Sequence, residues 1–200
     1  MLKITSLSKS YGSKKVIDNL NFEILKPSII HIRGTNGCGK TTLFKLIAEI
    51  EEPDSGIIEK SDIVHLGVVI ENGGFIENKS LKYNLEYLIN VRKEATINYA
   101  KDLCTMFSLD FESNKKIKDF SIGMRQKAGI IQAVMENQNL IILDEPSRGM
   151  DEESVIVFSR LIEDLKKDNK TVIIASHEIL DRICFDEIYV MENGRLEREI

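Results

Sequence analysis

The segment between residues 28 and 50 constrains the fold more than any other part of this 200-residue chain. It begins with SIIHIR, which predicts a short buried strand, and ends with TTLFKLIAEI, which has the apolar spacing of a helix. Between them lies GTNGCGKT (34–41), which fits the pattern G-x-x-x-x-G-K-[ST]. A strand, a glycine-rich loop and a helix in this order predict an α/β protein whose loop turns its backbone N–H groups toward a phosphate.

The residue types in this loop have predicted roles in binding a nucleotide. Lys40 would place a positive charge beside the β and γ phosphates, and the Thr41 hydroxyl would ligate Mg²⁺. Cys38 is either a reactive thiol or, as we favour, a small residue that fits the loop. A glycine-rich turn that binds nothing is the disfavoured alternative, because strand and helix both flank the loop. The predicted binding residues are Gly34, Thr35, Asn36, Gly37, Cys38, Gly39, Lys40, Thr41 and Thr42.

Two later apolar runs end in polar residues that suit phosphate chemistry. LIILDEP (140–146) is typical of a buried parallel strand followed by two carboxylates. Asp144 would hold Mg²⁺ opposite Thr41, and Glu145 would orient or deprotonate a water molecule. The alternative for these acids is a helix N-cap. TVIIAS (171–176) is followed by His177, which we expect near the γ phosphate as a catalytic or sensing group.

The order of elements predicts a mostly parallel sheet with an antiparallel start and a helical insertion. Residues 2–25 predict two strands around the turn at GSKK, and residues 186–199 predict a hairpin around Asn193-Gly194. Residues 81–118 have helical spacing with little strand character. We therefore expect one domain, residues 1–200, with a core of about 1–72 and 121–200 and a helical insertion of about 73–120.

Composition narrows the function classes. The formal net charge is −5, without a lysine or arginine block, which argues against nucleic acid as a partner. Three separated cysteines favour reduced thiols in a cytosol over a disulfide framework or a zinc site. No apolar run is long enough to cross a bilayer, so any membrane role is expected to be peripheral, through a partner on the cytoplasmic side.

The stretch FSIGMRQK (120–127) predicts the start of a helix. Ser121 would be the N-cap, and Gly123 would allow a close approach of its own backbone to a ligand. The Ser121 hydroxyl and the following N–H groups would point at an anion, because a helix N-terminus favours negative charge. A plain helix N-cap is the alternative.

Taken in order, these motifs resemble those of the ATP-binding subunit of ABC transporters along essentially the whole chain. The resemblance implies a P-loop NTPase (RecA-like) fold and an ATPase that works as a dimer. It also implies that Tyr11 stacks on adenine and that the loop at 148–151 (RGMD) crosses to the partner subunit. The stretch 120–127 resembles the family signature, in which Ser121 and Gly123 would cap the γ phosphate held by the other subunit. Ile122 and Met124 replace the usual glycine and glutamine, which predicts a working but weaker site.

A further departure from the family pattern is Glu71, in VVIENGGF, where a glutamine is usual. Its carboxylate would offer an oxygen to Mg²⁺ or to the attacking water. Glu71 together with SIGMRQK resembles the branch that exports antibiotics, lantibiotics and other peptides or protects against them. The resemblance implies ATP and Mg²⁺, a second ATPase subunit that is identical or different, and a separate membrane subunit received by the insertion and residues 71–78.

Three other classes of protein fit the sequence less well. The first is an ABC-type ATPase that acts on ribosomes or DNA instead of a membrane. The ribosomal kind normally carries two cassettes in one chain, whereas this sequence has one phosphate loop. The DNA-repair kind has a long coiled coil between its phosphate loop and acidic strand, and the chain between Thr41 and Asp144 has no heptad array. A small P-loop kinase would not explain the signature or His177, and a purely regulatory nucleotide-binding module would not explain Glu145.

Overall fold

A computed structural model of the chain describes residues 2–71, 73–177 and 180–199. Its strands are β1 (Leu2–Tyr11), β2 (Lys14–Ile24), β3 (Ile29–Arg33), β4 (Ser55–Lys60), β5 (Leu66–Val69), β6 (Leu140–Asp144), β7 (Thr171–Ser176), β8 (Glu187–Glu192) and β9 (Arg195–Arg198). Its α-helices are α1 (Lys40–Ile47), α2 (Leu81–Arg92), α3 (Ile97–Met106), α4 (Ile122–Val134) and α5 (Glu152–Lys167), and a 3-10 helix spans Ile117–Asp119.

The central sheet has six strands in the order β5-β6-β7-β3-β8-β9. The pairs from β5 to β8 are parallel, and only the hairpin strand β9 is antiparallel. β6 and β7 are buried along their whole length, as expected for parallel strands covered on both faces. The predicted mostly parallel sheet is confirmed, and the carboxyl ends of β3, β6 and β7 meet at one edge.

A second sheet of three antiparallel strands, β2-β1-β4, is formed by the first part of the chain. β1 and β2 form the predicted pair. β4 was not predicted from the sequence. Its burial is low, since it lies at the edge of the sheet, and so it lacks the alternating apolar pattern that marks a half-buried strand.

The two faces of the central sheet pack into separate cores. Along β6, Ile141 and Leu143 point to one core, and Leu140 and Ile142 point to the other. The first core also holds residues of α2, α3, α4 and α5, whereas the second holds α1 and the antiparallel sheet. The helical insertion is therefore packed into the same core as the helix that follows the signature.

The helical elements agree with the sequence interpretation except at their ends. α2 and α3 begin at the N-caps Ser80 and Thr96, whose hydroxyls accept backbone hydrogen bonds. α1 ends at Ile47, three residues before the end of the helical run TTLFKLIAEI (41–50), and α4 ends at Val134. β5 covers Leu66–Val69 within the apolar run IVHLGVVI (63–70). The division of one domain at residues 73 and 120 stays a prediction.

Candidate nucleotide-binding site

The phosphate loop joins β3 to α1 and is held closed by its own lysine. Lys40 Nζ donates to the carbonyl oxygens of Gly34 at 2.6 Å and Thr35 at 3.3 Å. Gly39 precedes α1 with φ 119°, and a Cβ there would lie 2.8 Å from the Met191 side chain. Only glycine fits that conformation and that space. The lysine is 5% exposed, so its charge lies inside the loop, where a phosphate would bind.

A cleft of about 370 Å³ opens beside this loop. Its size is in the range of small-molecule sites. It brings together residues predicted from three separate parts of the chain, and they include Tyr11, Asn36, Lys40, Thr42, Asp144 and Glu145. The structure thus gathers the phosphate loop, the acidic strand end and the predicted adenine-stacking tyrosine around one space.

Thr41 and Asp144 face each other across this cleft. Thr41 Oγ1 donates to Asp144 Oδ2 at 2.5 Å, and Asp144 is 9% exposed. Burial raises the pKa of Asp144 above its ordinary value, although the hydrogen bond from Thr41 acts in the opposite direction. Oδ1 of Asp144 is buried without a hydrogen-bond partner among the described residues. A buried carboxylate oxygen beside a hydroxyl is the hard-oxygen donor set that suits Mg²⁺.

Glu145 stands between Lys40 and His177. Its Oε2 lies 3.0 Å from Nδ1 of His177, and its Oε1 lies 3.8 Å from Nζ of Lys40. The backbone of Glu145 has φ 48°, and its N–H donates to the carbonyl oxygen of Ala175 at 2.8 Å. This turn ends β6 and fixes the carboxylate. Oε1 is buried with no hydrogen-bond partner in the described part of the chain, so it is free to accept one from a water molecule.

Tyr11 lies at the rim of the cleft and is 46% exposed. Its hydroxyl donates to the carboxylate of Glu51, which fixes the outer edge of the ring. Lys9 Nζ is 5.7 Å from the ring centroid. An exposed, anchored ring at the mouth of a phosphate cleft suits base stacking, and the role of Tyr11 stays a prediction.

Glu71 forms an ion pair that the sequence analysis did not predict. Its Oε1 lies 3.0 Å from Nζ of Lys45 on α1, and this contact raises the pKa of Lys45. Lys45 also lies 3.9 Å from Glu51, so the lysine is placed between two carboxylates. The added negative charge at position 71 is therefore matched by a cation on the helix that follows the phosphate loop. No local motif signals such a contact between distant positions.

The signature stretch begins α4 as predicted. Ser121 is the N-cap, and its Oγ accepts a hydrogen bond from the N–H of Met124 at 3.2 Å. Gly123 packs on the loop after β6, since a Cβ there would lie 2.2 Å from the carbonyl oxygen of Gly149. Ile122 is 61% exposed and Met124 is partly buried. Neither replacement disturbs the Ser121 cap.

The structure does not place Ser121 or Gly123 in the cleft of their own phosphate loop. Ile122 instead lines a smaller cleft of about 170 Å³ that includes Glu71 and Arg148. Cys38 packs partly against the core on the antiparallel-sheet side, which fits the interpretation of a small filling residue. The predicted site residues thus fall into two groups, one around Lys40 and one around the N-terminus of α4.

Comparison with known proteins identifies the family. The sequence pattern described as "ABC transporter" matches residues 17–148. The chain belongs to the ABC transporter family. It is 33% identical over 215 residues to the bacitracin transport ATP-binding protein BcrA of Bacillus licheniformis, covering all of this chain and 69% of BcrA. It is 31% identical to the lantibiotic transport ATP-binding protein SrtF of Streptococcus pyogenes, covering 88% of this chain and 80% of SrtF.

Its fold is that of an ABC cassette. The dimeric structure of the bacterial ABC transporter cassette MJ0796 superposes with a TM-score of 0.85 at 22% identity, covering 99% of this chain and 97% of that one. The predicted P-loop NTPase fold, the family and the ATPase class are confirmed, and the chain is an ATP-binding subunit of the ABC type. Among the described helices, none is long and apolar enough to span a membrane.

Proposed function

We propose that the chain hydrolyses ATP to power a separate membrane subunit that exports, or confers resistance to, an antibiotic, a lantibiotic or another peptide. The observation that carries the proposal is the contact of Glu145 with both Lys40 and His177, next to the Thr41–Asp144 pair. The names of BcrA and SrtF support the substrate class. Two departures from the family pattern, Glu71 and the stretch SIGMRQK, resemble the same branch of exporters and therefore agree with this substrate class.

The phosphate loop would bind the triphosphate with Lys40 opposite its β and γ phosphates. Thr41 and Asp144 would hold Mg²⁺, and Glu71 would add an oxygen when it leaves Lys45. The ion, when bound, neutralises charge that develops on the phosphate oxygens. The buried, unpartnered Oδ1 of Asp144 supports this ligand assignment.

Glu145 would act as general base through Oε1. That atom is buried and has a cation, Lys40, 3.8 Å away, while Oε2 is occupied by His177. A water molecule bonded to Oε1 would pass its proton to the carboxylate as its oxygen attacks the γ phosphorus, and the bond from that phosphorus to the β,γ-bridging oxygen would break to release ADP. His177 would fix the carboxylate and stabilise the terminal phosphate.

A second ATPase subunit is needed to complete the site. Ser121 and Gly123 do not line the cleft of their own phosphate loop, so the phosphate that they would cap belongs to another chain. That chain is identical to this one or a different cassette. Closure of two subunits around ATP, followed by hydrolysis and opening, would shift the membrane subunit between two states.

The helical insertion offers a surface for the membrane subunit. Tyr83, Tyr87 and Val91 of α2 are all exposed, and their spacing of four residues places them on one face of the helix. Ile76, in the loop before α2, is exposed as well. An apolar stripe of this kind is typical of a protein interface. Docking there would hold the chain at the cytoplasmic side of the membrane.

The substitution Glu145→Gln tests this function. Glutamine keeps the size and hydrogen-bonding capacity of the side chain but removes the base, so ATP should bind without being hydrolysed. We expect phosphate release to fall by at least about a hundredfold, as for loss of a general base. We also expect the mass measured by light scattering to shift from monomer to dimer when Mg-ATP is added.

Lys40→Ala in the same background provides the control, because it should abolish the ATP-dependent shift in mass. Unaltered hydrolysis in Glu145→Gln would overturn the assignment of the base. A monomer with and without Mg-ATP would overturn assembly with an identical partner.

A further inference from the structure

Arg148 lies in the loop between β6 and α5, one turn after the proposed base. Its backbone N–H donates to the carbonyl oxygen of Glu145 at 3.1 Å, which fixes the turn. Its side chain is exposed. The family resemblance implies that this loop crosses to the partner subunit, but it implies no role for an arginine at position 148.

This loop and the signature are packed together as one unit. A Cβ at Gly149 would lie 2.9 Å from Cγ2 of Ile122 and 3.2 Å from the backbone nitrogen of Gly123. A Cβ at Gly123 would lie 2.2 Å from the carbonyl oxygen of Gly149. Because the two backbones touch, a ligand that reaches the N-terminus of α4 also comes within reach of the neighbouring Arg148 side chain.

The charge of Arg148 is not matched within the described part of the chain. Most of the arginines there have a carboxylate within ion-pair distance, and these are Arg33, Arg92, Arg125, Arg182, Arg195 and Arg198. Arg148 has no such partner among the described residues, and the exposed Arg160 on α5 shares this property. An unpaired guanidinium beside a helix N-terminus is a site for an anion.

The residues around Arg148 also favour the binding of an anion. Arg148 lines the cleft of about 170 Å³ together with Ile122 and Gln126. Gln126 is 7% exposed, and its Nε2 has no hydrogen-bond partner in the described ranges. The carboxylate in this cleft, Glu71, is held by Lys45 at 3.0 Å. Among the described residues the cleft therefore presents two unpaired donors, Arg148 and Gln126, beside a carboxylate that is already ion-paired, which favours a ligand with several oxygens.

We propose that Arg148 binds the terminal phosphate of the nucleotide held by the partner subunit, alongside Ser121 and Gly123 of its own chain. The proposal rests on the composite site described above. An arginine donates two parallel hydrogen bonds to phosphate oxygens and stabilises the charge that builds up during phosphoryl transfer. It would offset the loss of the glutamine amide at Met124, where the signature now has no side-chain donor of that kind.

The location of Arg148 favours the nucleotide of the partner. Arg148 does not line the cleft that contains the phosphate loop and Tyr11, whereas it does share a cleft with the signature. It also lines a cleft with Glu145 and His177, so contact with the nucleotide of its own chain is the competing geometry. Experiments with mixed dimers separate the two.

Single substitutions first test whether Arg148 contributes to hydrolysis. We expect Arg148→Ala to lower kcat for ATP hydrolysis by at least about tenfold, with Arg148→Lys retaining part of the rate. Binding of ATP to the monomer should be unchanged, because the phosphate loop is intact. Arg160→Ala, which removes the other exposed and unpaired arginine, should keep the wild-type kcat. Equal rates for Arg148→Ala and Arg160→Ala would overturn the proposal.

Mixed dimers then test which nucleotide Arg148 reaches. A chain with Arg148→Ala and a chain with Lys40→Ala are each inactive or weak alone. When they are mixed, the Arg148→Ala chain supplies an intact phosphate loop and the Lys40→Ala chain supplies an intact Arg148. Activity should return to at most about a quarter of the wild-type rate, since half of the dimers are mixed and each holds one complete site.

The pair Ser121→Ala and Lys40→Ala is mixed in parallel to test the composite site itself. Restored activity in this pair but not in the Arg148→Ala pair would overturn the proposal and leave the composite site standing. Failure of both pairs to regain activity would overturn the composite site of two identical chains, and the role of Arg148 with it.

Discussion

His31 is a buried histidine on β3 that the nucleotide chemistry does not use. It is 0% exposed, its Nε2 lies 2.7 Å from Ser176 Oγ, and its ring stacks on Phe185 with centroids 4.5 Å apart. Burial, with the positive charges of Arg33 and Lys40, lowers the pKa of His31 from 6.5 to about 4. The folded protein therefore keeps this ring neutral at neutral pH.

The lowered pKa predicts a loss of stability in mild acid. Between pH 6.5 and about pH 4 the unfolded chain binds a proton at His31 and the folded chain does not, so the free energy of unfolding falls as the pH falls. The slope from this group is at most about 1.4 kcal/mol per pH unit. Above pH 6.5 the ring is neutral in both states and contributes nothing to the pH dependence.

His31→Gln isolates this effect, because glutamine keeps a polar group near Ser176 but does not titrate. Urea unfolding at a series of pH values from 7.5 to about 4.5 should show the variant losing less stability than the wild type as the pH falls. The comparison uses the change with pH, so a constant cost of the substitution cancels. Parallel curves for the two proteins would contradict the prediction.

The packing of α4 on β5 shows how closely the signature helix is held to the sheet. A Cβ at Gly67 of β5 would lie 1.9 Å from the carbonyl oxygen of Ala133 on α4. Backbone at that distance has to move, and overpacking of this kind typically costs about 1–3 kcal/mol. Because the contact is with backbone, Gly67→Ala should lower the free energy of unfolding by about 2–3 kcal/mol, in the upper part of that range, and displace α4, with a loss of ATPase activity.

Gly129→Ala, on the same pair of elements, provides the matched control. A Cβ there would lie 3.2 Å from Cγ1 of Val69, a side chain that shifts more easily than backbone. Alanine also favours the helix by up to about 1 kcal/mol over glycine. Urea unfolding should show Gly129→Ala within about 1 kcal/mol of the wild type. Equal destabilisation by Gly67→Ala and Gly129→Ala would show that the contact of residue 67 with the Ala133 backbone does not decide the loss of stability.

Local sequence patterns were sufficient to predict most elements and the group of residues around Lys40. Apolar strands such as β6 and β7 stand out because both faces are buried, and the Ser121 cap is visible as a serine before a helical run. The edge strand β4 was not predicted, because its residues SGIIEK are largely exposed and show no clear periodicity. Contacts between distant positions, such as Lys45 with Glu71, leave no local pattern at all.

Contacts between the helical insertion and the core could not be predicted either, because they also join distant positions of the chain. Arg125 of α4 forms a two-point ion pair with Glu77, with nitrogen–oxygen distances of 2.6 and 2.7 Å. Glu77 lies in the segment after Glu71 that we expect to receive the membrane subunit. The pair joins the signature helix to that segment, and it depends on tertiary placement that neither stretch predicts alone.

At the scale of the whole molecule, the binding cleft joins the two sheets. Tyr11 ends a strand of the antiparallel sheet, whereas Asp144 ends β6 of the central sheet and Lys40 begins α1, which follows β3 of that sheet. A nucleotide that contacts all three would link the two sheets in the folded state only. Ligand binding of this kind stabilises a protein by mass action, because the unfolded chain has no such cleft.

Mg-ATP should therefore raise the melting temperature, and Tyr11 should account for part of the rise. At an ATP concentration of one hundred times Kd, binding adds about 2.7 kcal/mol, or about 5–10 °C for a chain of this length. Loss of base stacking in Tyr11→Ala would weaken binding about tenfold and so remove about half of that gain. Tyr87→Ala, which removes a ring of similar exposure from α2, should keep the full rise in a thermal melt of the Glu145→Gln protein. An undiminished rise in the Tyr11→Ala protein would place the adenine elsewhere.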